Sequence, residues 1–235
     1  MYGIALVPFS DPRQNGFDFP APGRLQLWTK QDTGMSLTFD AISATLSRLR
    51  HDETPADGRS PAAVAMILAE GVPGLQLLLL ERAADERDPW SGNLAFPGGR
   101  VESGETLRQA AERETREESA IDLTAARHLG RLADCVGAHL PVRIACFAYA
   151  FSDAPPPVTI NHESRDAFWV SVAELADRKR HVATGVSFNG RPMAVPAIRL
   201  PQPGKPVLWG ITYRLVMQFL EIREVLRGQG VAFFQ

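Results

Sequence analysis

Residues 99–121 read GRVESGETLRQAAERETREESAI, and the acids in this stretch decide how the chain is read. Glu114, Glu117 and Glu118 stand at i, i+3 and i+4. At 3.6 residues per turn, three such positions share one face of a helix. Residues 104–119 are dense in Glu, Arg and Ala, and this composition predicts that helix. Glu102, Glu105 and Glu112 add carboxylates nearby. Like charges on one face repel, so the cluster is costly unless something cationic fills it, and a divalent ion with hard oxygen ligands suits it. Arg113 and Arg116 can pair with some of the acids, but Arg113 lies on a different side of the helix from Glu118. A solvated, salt-bridged helix is the plainer reading of an isolated Glu/Arg run. The flank argues against it. Phe96-Pro97-Gly98-Gly99 forms a turn just upstream, and glycines let backbone groups approach a ligand closely.

Working outward, Ala62–Ala69 and Leu75–Leu80 read as a hairpin closed at residues 71–74. Residues 83–103 read as a long Pro/Gly loop. His128–Val136, Val142–Phe151, Ala167–Val170, Val182–Phe188 and Met193–Ile198 read as strands. Helices are predicted over 38–50 and over 209–226, where Ile211, Leu215, Phe219, Ile222 and Leu226 share a face. Ser171 followed by Glu174 has the capping-box pattern of a short helix. Mixed strands and helices with hairpins point to α/β or α+β layering. Residues 1–34, punctuated by Pro and Gly, read as an irregular extension, and 35–235 as the folded domain. Met35 is an alternative natural start.

The chain has 235 residues, 25 Lys+Arg and 27 Asp+Glu, hence a net charge of −2, which excludes a sequence-blind nucleic-acid binder. Hydrophobic residues make up 45% and charged residues 22%, ordinary globular usage. Cys135 and Cys146 are too few for a disulfide framework and too widely spaced for a metal knuckle, so they read as buried thiols. No apolar run approaches the ~20 residues that span a bilayer, and no secretory signal is seen. The expectation is a cytoplasmic protein without a membrane partner.

The acidic stretch resembles the Nudix box, Gly-x5-Glu-x7-Arg-Glu-U-x-Glu-Glu-x-Gly-U, where U is bulky and apolar. Gly99, Glu105, Arg113, Glu114, Glu117, Glu118 and Ile121 carry it at the required spacing. Thr115 stands at the first U, and Ala120 where glycine is usual. Alanine disfavours a left-handed backbone, so Ala120 predicts an altered loop exit. The resemblance implies a Nudix α/β/α sandwich, a mixed sheet between helices with the box as a loop–helix–loop. It also implies hydrolysis of a nucleoside diphosphate derivative with Mg2+ or Mn2+. Glu114, Glu117 and Glu118 are the implied metal ligands together with the Gly99 carbonyl, and Glu114 and Glu117 are also candidate catalytic groups. Glu105 and Arg113 are expected to form a salt bridge that shapes the box. Glu163 is a candidate general base, with an exposed loop acid as the alternative. His139 and His162 are read as surface residues. Homodimerisation is a habit of the family that no residue pattern here tests.

Upstream, LLLLERAADERDPWSGNLAFPGG resembles the coenzyme A diphosphatase branch through Leu78, Leu79, Arg82, Ala83, Arg87, Gly92 and Phe96–Gly99. Leu80 replaces a threonine, and one extra residue separates Arg87 from Gly92. Leu208-Trp209-Gly210-Ile211-Thr212 is similar to that branch too. The branch implies cleavage of coenzyme A or its thioesters into 4′-phosphopantetheine and adenosine 3′,5′-bisphosphate. Arg82, Arg87 and Arg100 are then candidate substrate contacts, because such a polyanion needs cations beyond the metals. Counter-charges to Glu81, Asp85, Glu86 and Asp88 are the alternative role for them. Hydrolysis of ADP-ribose, dinucleotides or oxidised nucleotides stays open, as does a non-catalytic nucleotide-binding module.

Overall fold

The computed structural model describes residues 38–226, except 50–57, 73, 86, 87, 89, 138–140, 189 and 190. The extension 1–34, Arg87 and His139 therefore lie outside the described residues. The elements are α1 (Phe39–Leu46), β1 (Ser60–Gly71), β2 (Gly74–Arg82), β3 (Leu94–Ala95), β4 (Gly98–Arg100), α2 (Leu107–Ser119), β5 (Arg127–Arg131), β6 (Cys135–Val136), β7 (Val142–Phe151), β8 (Ser164–Ser171), α3 (Val172–Leu175), β9 (His181–Phe188), β10 (Arg191–Ile198), β11 (Leu208–Trp209) and α4 (Gly210–Leu226).

The main sheet runs β3-β2-β1-β7-β5, with β4 on β1, β6 on β7 and β8 on β2. β1 and β7 are parallel from Ser60 opposite Val142 to Ala69 opposite Phe151, while the other pairings in this sheet are antiparallel. A parallel pair needs cover on both faces. Alternation along β1 and β2 supplies an apolar side chain to each. Met66, Leu68, Leu77 and Leu79 pack with Ile42, Leu46, Phe219 and Leu220 of α1 and α4. Ala63, Ala65, Ile67 and Leu78 pack with Ala110 and Ala111 of α2, and with Phe147 and Tyr149. The alanines on both sides of that second interface bring the acidic helix close to the sheet. β9, β10 and β11 form a separate antiparallel sheet. The result is the α/β/α layering expected.

Several boundaries differ from the sequence reading. The loop 83–103 contains β3 and β4, strands defined only by partners far away in the chain. The segment 128–136 divides into β5 and β6, with a register shift between His128 and Gly130. Ser171 caps α3 through the Ala173 N–H, but Glu174 completes no capping box and meets Arg180 instead. A capping box does start α2: Thr106 Oγ1 accepts from Gln109 N–H at 3.2 Å, and Gln109 Oε1 accepts from Thr106 N–H at 2.9 Å. Thr115 is fully buried, and its hydroxyl donates to the Ala111 carbonyl at 2.7 Å. The altered exit expected at Ala120 does not occur: Ala120 adopts φ 56°, ψ 15°, the left-handed turn a glycine would make. It is the one non-glycine with positive φ among the described residues.

Candidate active site

Two glycines set the distance between the turn and α2. Gly98 has φ 149°, and a Cβ there would fall 2.3 Å from the Ala63 carbonyl oxygen, so β4 can lie against β1 only without one. Its N–H then points at α2 and donates to Glu118 Oε2 at 2.9 Å. A Cβ on Gly99 would fall 2.4 Å from Glu114 Oε1. The turn thus brings backbone against two of the three carboxylates.

The three acids have different surroundings. Glu118 is 4% exposed, and burial raises its pKa to about 7, against the opposing pull of the Gly98 N–H and of Arg82. The charges of Glu114 and Glu163 push it in the same direction as burial. Glu114 is also raised, first by burial, with Arg113 opposing. Glu117 is open to solvent and bonded to Arg113 Nη1 at 3.1 Å. Arg113 stands among the acids. Its Nε donates to Glu105 Oε1 at 2.7 Å, its Nη1 to Glu114 Oε1 at 3.0 Å, and its Nη2 to the Arg100 carbonyl at 3.1 Å. The Glu105 bond in particular holds the guanidinium's pKa high.

Arg82, at the end of β2, donates to Asp88 Oδ2 at 2.8 Å and reaches Glu118 Oε1 at 3.9 Å. Beside it opens a cleft of about 750 Å³, lined by Arg82–Asp85, Asp88, His162 and Glu163. His162 and Glu163 are exposed on its far wall, which is tied to the near wall where Ala83 N–H donates to the Glu163 carbonyl at 2.8 Å. Arg100 is exposed on β4 and is not among the residues lining the cleft. Glu112 leaves the cluster altogether. It accepts from Tyr149 Oη and from Arg108 Nε, both at 2.8 Å, on the side of α2 facing β7. The pairing of Arg82 with Asp88 is one of the counter-charge alternatives the sequence offered. Sequence reasoning missed the Gly98 N–H and the Tyr149–Glu112 contact. The first had a signal in the Pro-Gly-Gly turn, while the second depends on tertiary placement.

The donor set suits a hard divalent cation. It consists of carboxylate oxygens, two of them on side chains that resist ionisation without added positive charge, beside backbone at a residue with no Cβ. Among the described residues no three acidic, His or Cys side chains form a finished ion cage, since Arg113 draws Glu114 and Glu117 to itself.

A family model described as the NUDIX domain matches residues 58–188, from just before β1 to the end of β9. The chain belongs to the Nudix family. It is therefore a Nudix hydrolase, and β10, β11 and α4 lie beyond the matched span. A nucleoside triphosphatase, NudI of Escherichia fergusonii, is 31% identical over 116 residues, covering 45% of this chain and 81% of that protein. Among solved structures, the NUDIX domain of Shewanella oneidensis NrtR complexed with ADP ribose is 17% identical, with a TM-score of 0.47 over 76% of this chain and 96% of that one. A C. elegans Ap4A hydrolase is 23% identical, with a TM-score of 0.42 over 49% of this chain and 82% of that one.

Proposed function

We propose that this Nudix hydrolase cleaves the diphosphate of coenzyme A or an acyl-coenzyme A, giving 4′-phosphopantetheine and adenosine 3′,5′-bisphosphate. The observation that carries the diphosphatase reading is the buried Glu118, hydrogen-bonded by the Pro-Gly-Gly turn and lying beside Arg82, which lines the cleft. The preference for coenzyme A rests on the upstream and C-terminal sequence resemblance. Glu118, Glu114 and Glu117, with the Gly99 carbonyl, would hold Mg2+ or Mn2+. When bound, such an ion neutralises diphosphate oxygens and acidifies water.

The remaining chemistry falls to the chain's own groups. Gly98 N–H and the packed face of α2 fix Glu118, so its carboxylate needs no reorganisation during the reaction. Glu163 stands on the cleft wall and takes the proton from the attacking water as its oxygen joins phosphorus. The bridging P–O bond breaks, and the electron pair leaves on the departing phosphate. Arg82 exchanges Asp88 for a substrate phosphate, to which its planar fork is matched. Arg113 and Glu105 hold the loop before α2 against its acidic face.

The test is a panel of coenzyme A, acetyl-coenzyme A, ADP-ribose, Ap4A and nucleoside triphosphates with Mg2+ and with Mn2+. Coenzyme A or its thioester is expected to turn over fastest. The likeness to a nucleoside triphosphatase favours the alternative that a nucleotide takes that place. Far faster turnover of any other panel member overturns the coenzyme A reading, and no turnover of any overturns the site.

A further inference from the structure

The segment after β10 belongs to no part of the matched family span, yet it contacts β2 and β8, the strands adjoining the two walls of the cleft. Lys205 Nζ bonds Glu81 Oε2 at 2.8 Å and also bonds Asp166 Oδ2, and it lies 4.8 Å above the Phe168 ring. Gln202 Nε2 donates to the Trp169 carbonyl at 3.3 Å. Four residues after Lys205, the indole N–H of Trp209 donates to Asn93 Oδ1 at 3.0 Å. Asn93 closes the neck of the cleft loop: its carbonyl accepts from Arg82 N–H and its N–H donates to the Trp90 carbonyl, both at 3.0 Å.

Lys205 acts where the sheet is irregular. On β2 and β8, Glu81 lies opposite Asp166, but Arg82 lies opposite Ser164, so Arg165 is an extra residue on β8. Such bulges re-aim the side chains next to them. Leu77 and Leu79 face the C-terminal layer and Leu78 faces α2, so alternation sends Glu81 toward the C-terminal layer and Arg82 toward Glu118. A slip of one residue would exchange the two. Glu81 is 5% exposed, and a buried carboxylate must keep its cation. Arg165 also reaches Glu81, at 3.3 Å, but its side chain is 75% exposed. Lys205 is the shielded partner, and it joins the cross-strand pair next to the bulge.

We infer that Lys205, seconded by Trp209, is a positioning residue of the active site: by clamping Glu81 to Asp166 it fixes the bulge that turns Arg82 toward Glu118 and sets Glu163 on the opposite wall. This rests on the reading of the cleft as the substrate site, and the experiment separates the two. Residue-resolved amide hydrogen exchange is measured on the full chain for wild type, Lys205→Met, Lys205→Arg and Trp209→Phe. Turnover of coenzyme A and ADP-ribose with Mn2+ is measured beside it.

In Lys205→Met the Arg82 and Ala83 amides are expected to exchange about tenfold faster while those of Ala148 and Tyr149 in β7 hold, a local rather than global opening. Its kcat is expected to fall about tenfold with KM changed less than twofold, since displaced catalytic groups cost chemistry more than binding. Lys205→Arg is expected to restore both. Trp209→Phe, which removes the indole N–H together with part of the ring, is expected to free Asn93 and Arg82 even if Lys205→Met does not fold. Unchanged exchange at Arg82 and Ala83 in the folded variants, or equal acceleration at every amide, overturns the positioning role. An inactive wild type with the local exchange response intact leaves the clamp standing and removes the substrate site.

Discussion

Ala120 closes α2 in a conformation that alanine tolerates poorly, and replacing it with glycine should make the protein more stable. The backbone is left-handed at φ 56°, ψ 15°, and its N–H still bonds the Arg116 carbonyl at 3.0 Å. An L-residue pays about 1–2 kcal/mol for that region. The glycine variant escapes this cost but gains about 0.4–1 kcal/mol of unfolded-state freedom. The methyl of Ala120 is exposed, so no burial is lost. The difference leaves Ala120→Gly about 0.5–1 kcal/mol more stable, which for a chain of this size raises Tm by about 2–3 °C. Urea unfolding of wild type, Ala120→Gly and Ala120→Val measures it. The glycine variant should move the midpoint up with an unchanged slope, and the β-branched variant should move it down. A midpoint that falls in Ala120→Gly would refute the reasoning, because the left-handed cost would then be smaller than the entropy it opposes.

Glu118→Gln should keep the fold and lower metal-dependent turnover by on the order of 100-fold, since it removes one anionic ligand and little volume. Wild-type rates in that variant would place the ion elsewhere. Gly98→Ala should be destabilised by about 3 kcal/mol or more, because the new Cβ meets the backbone of β1, and a soluble variant of native Tm would contradict the packing of β4. His128 is held below its ordinary pKa by burial first and by the Arg108 charge second, and its Nε2 is buried without a hydrogen-bond partner. The unfolded chain therefore takes that proton first as pH falls, so stability is complete above about pH 6.5 and declines below it. A urea series at pH 7.5 and pH 5.5 should show a smaller loss for His128→Gln than for wild type, and equal losses would remove His128 as the cause.

The acidic face was legible because helical spacing is local: once 107–119 is a helix, Glu114, Glu117 and Glu118 have nowhere else to go. Glu112 shows the limit. Its distance in sequence from Glu114 is short, yet only the docking of α2 on β7 reveals that Tyr149 claims it. β7 was read to its end residues because it is a nearly continuous apolar run, buried at six consecutive positions from Ala145 to Ala150, as a strand covered on both faces must be. By contrast, β3 and β4 were invisible, being held by β2 and β1 rather than by their own residues. β8 begins earlier than its apolar core suggests, since the polar Ser164 and Asp166 pair with β2 all the same, on either side of the bulged Arg165. Ala120 misled for a different reason: propensity named the cost correctly, and tertiary structure imposed the conformation regardless. The Lys205 contact to Glu81 joins residues so far apart in the chain that no window of sequence contains both.

The parallel ladder from Ser60–Val142 to Ala69–Phe151 encloses β2, both glycines of the turn and the whole of α2 between its two strands. Closing so long a loop is slow and is rewarded only when the ladder forms. On the ribosome, the acidic helix is made before the strand that will cover its sheet exists. Alignment of the acidic helix is thus postponed until β7 has emerged and zipped, and a chain interrupted before Val142 carries every residue of the box without the scaffold that aligns it.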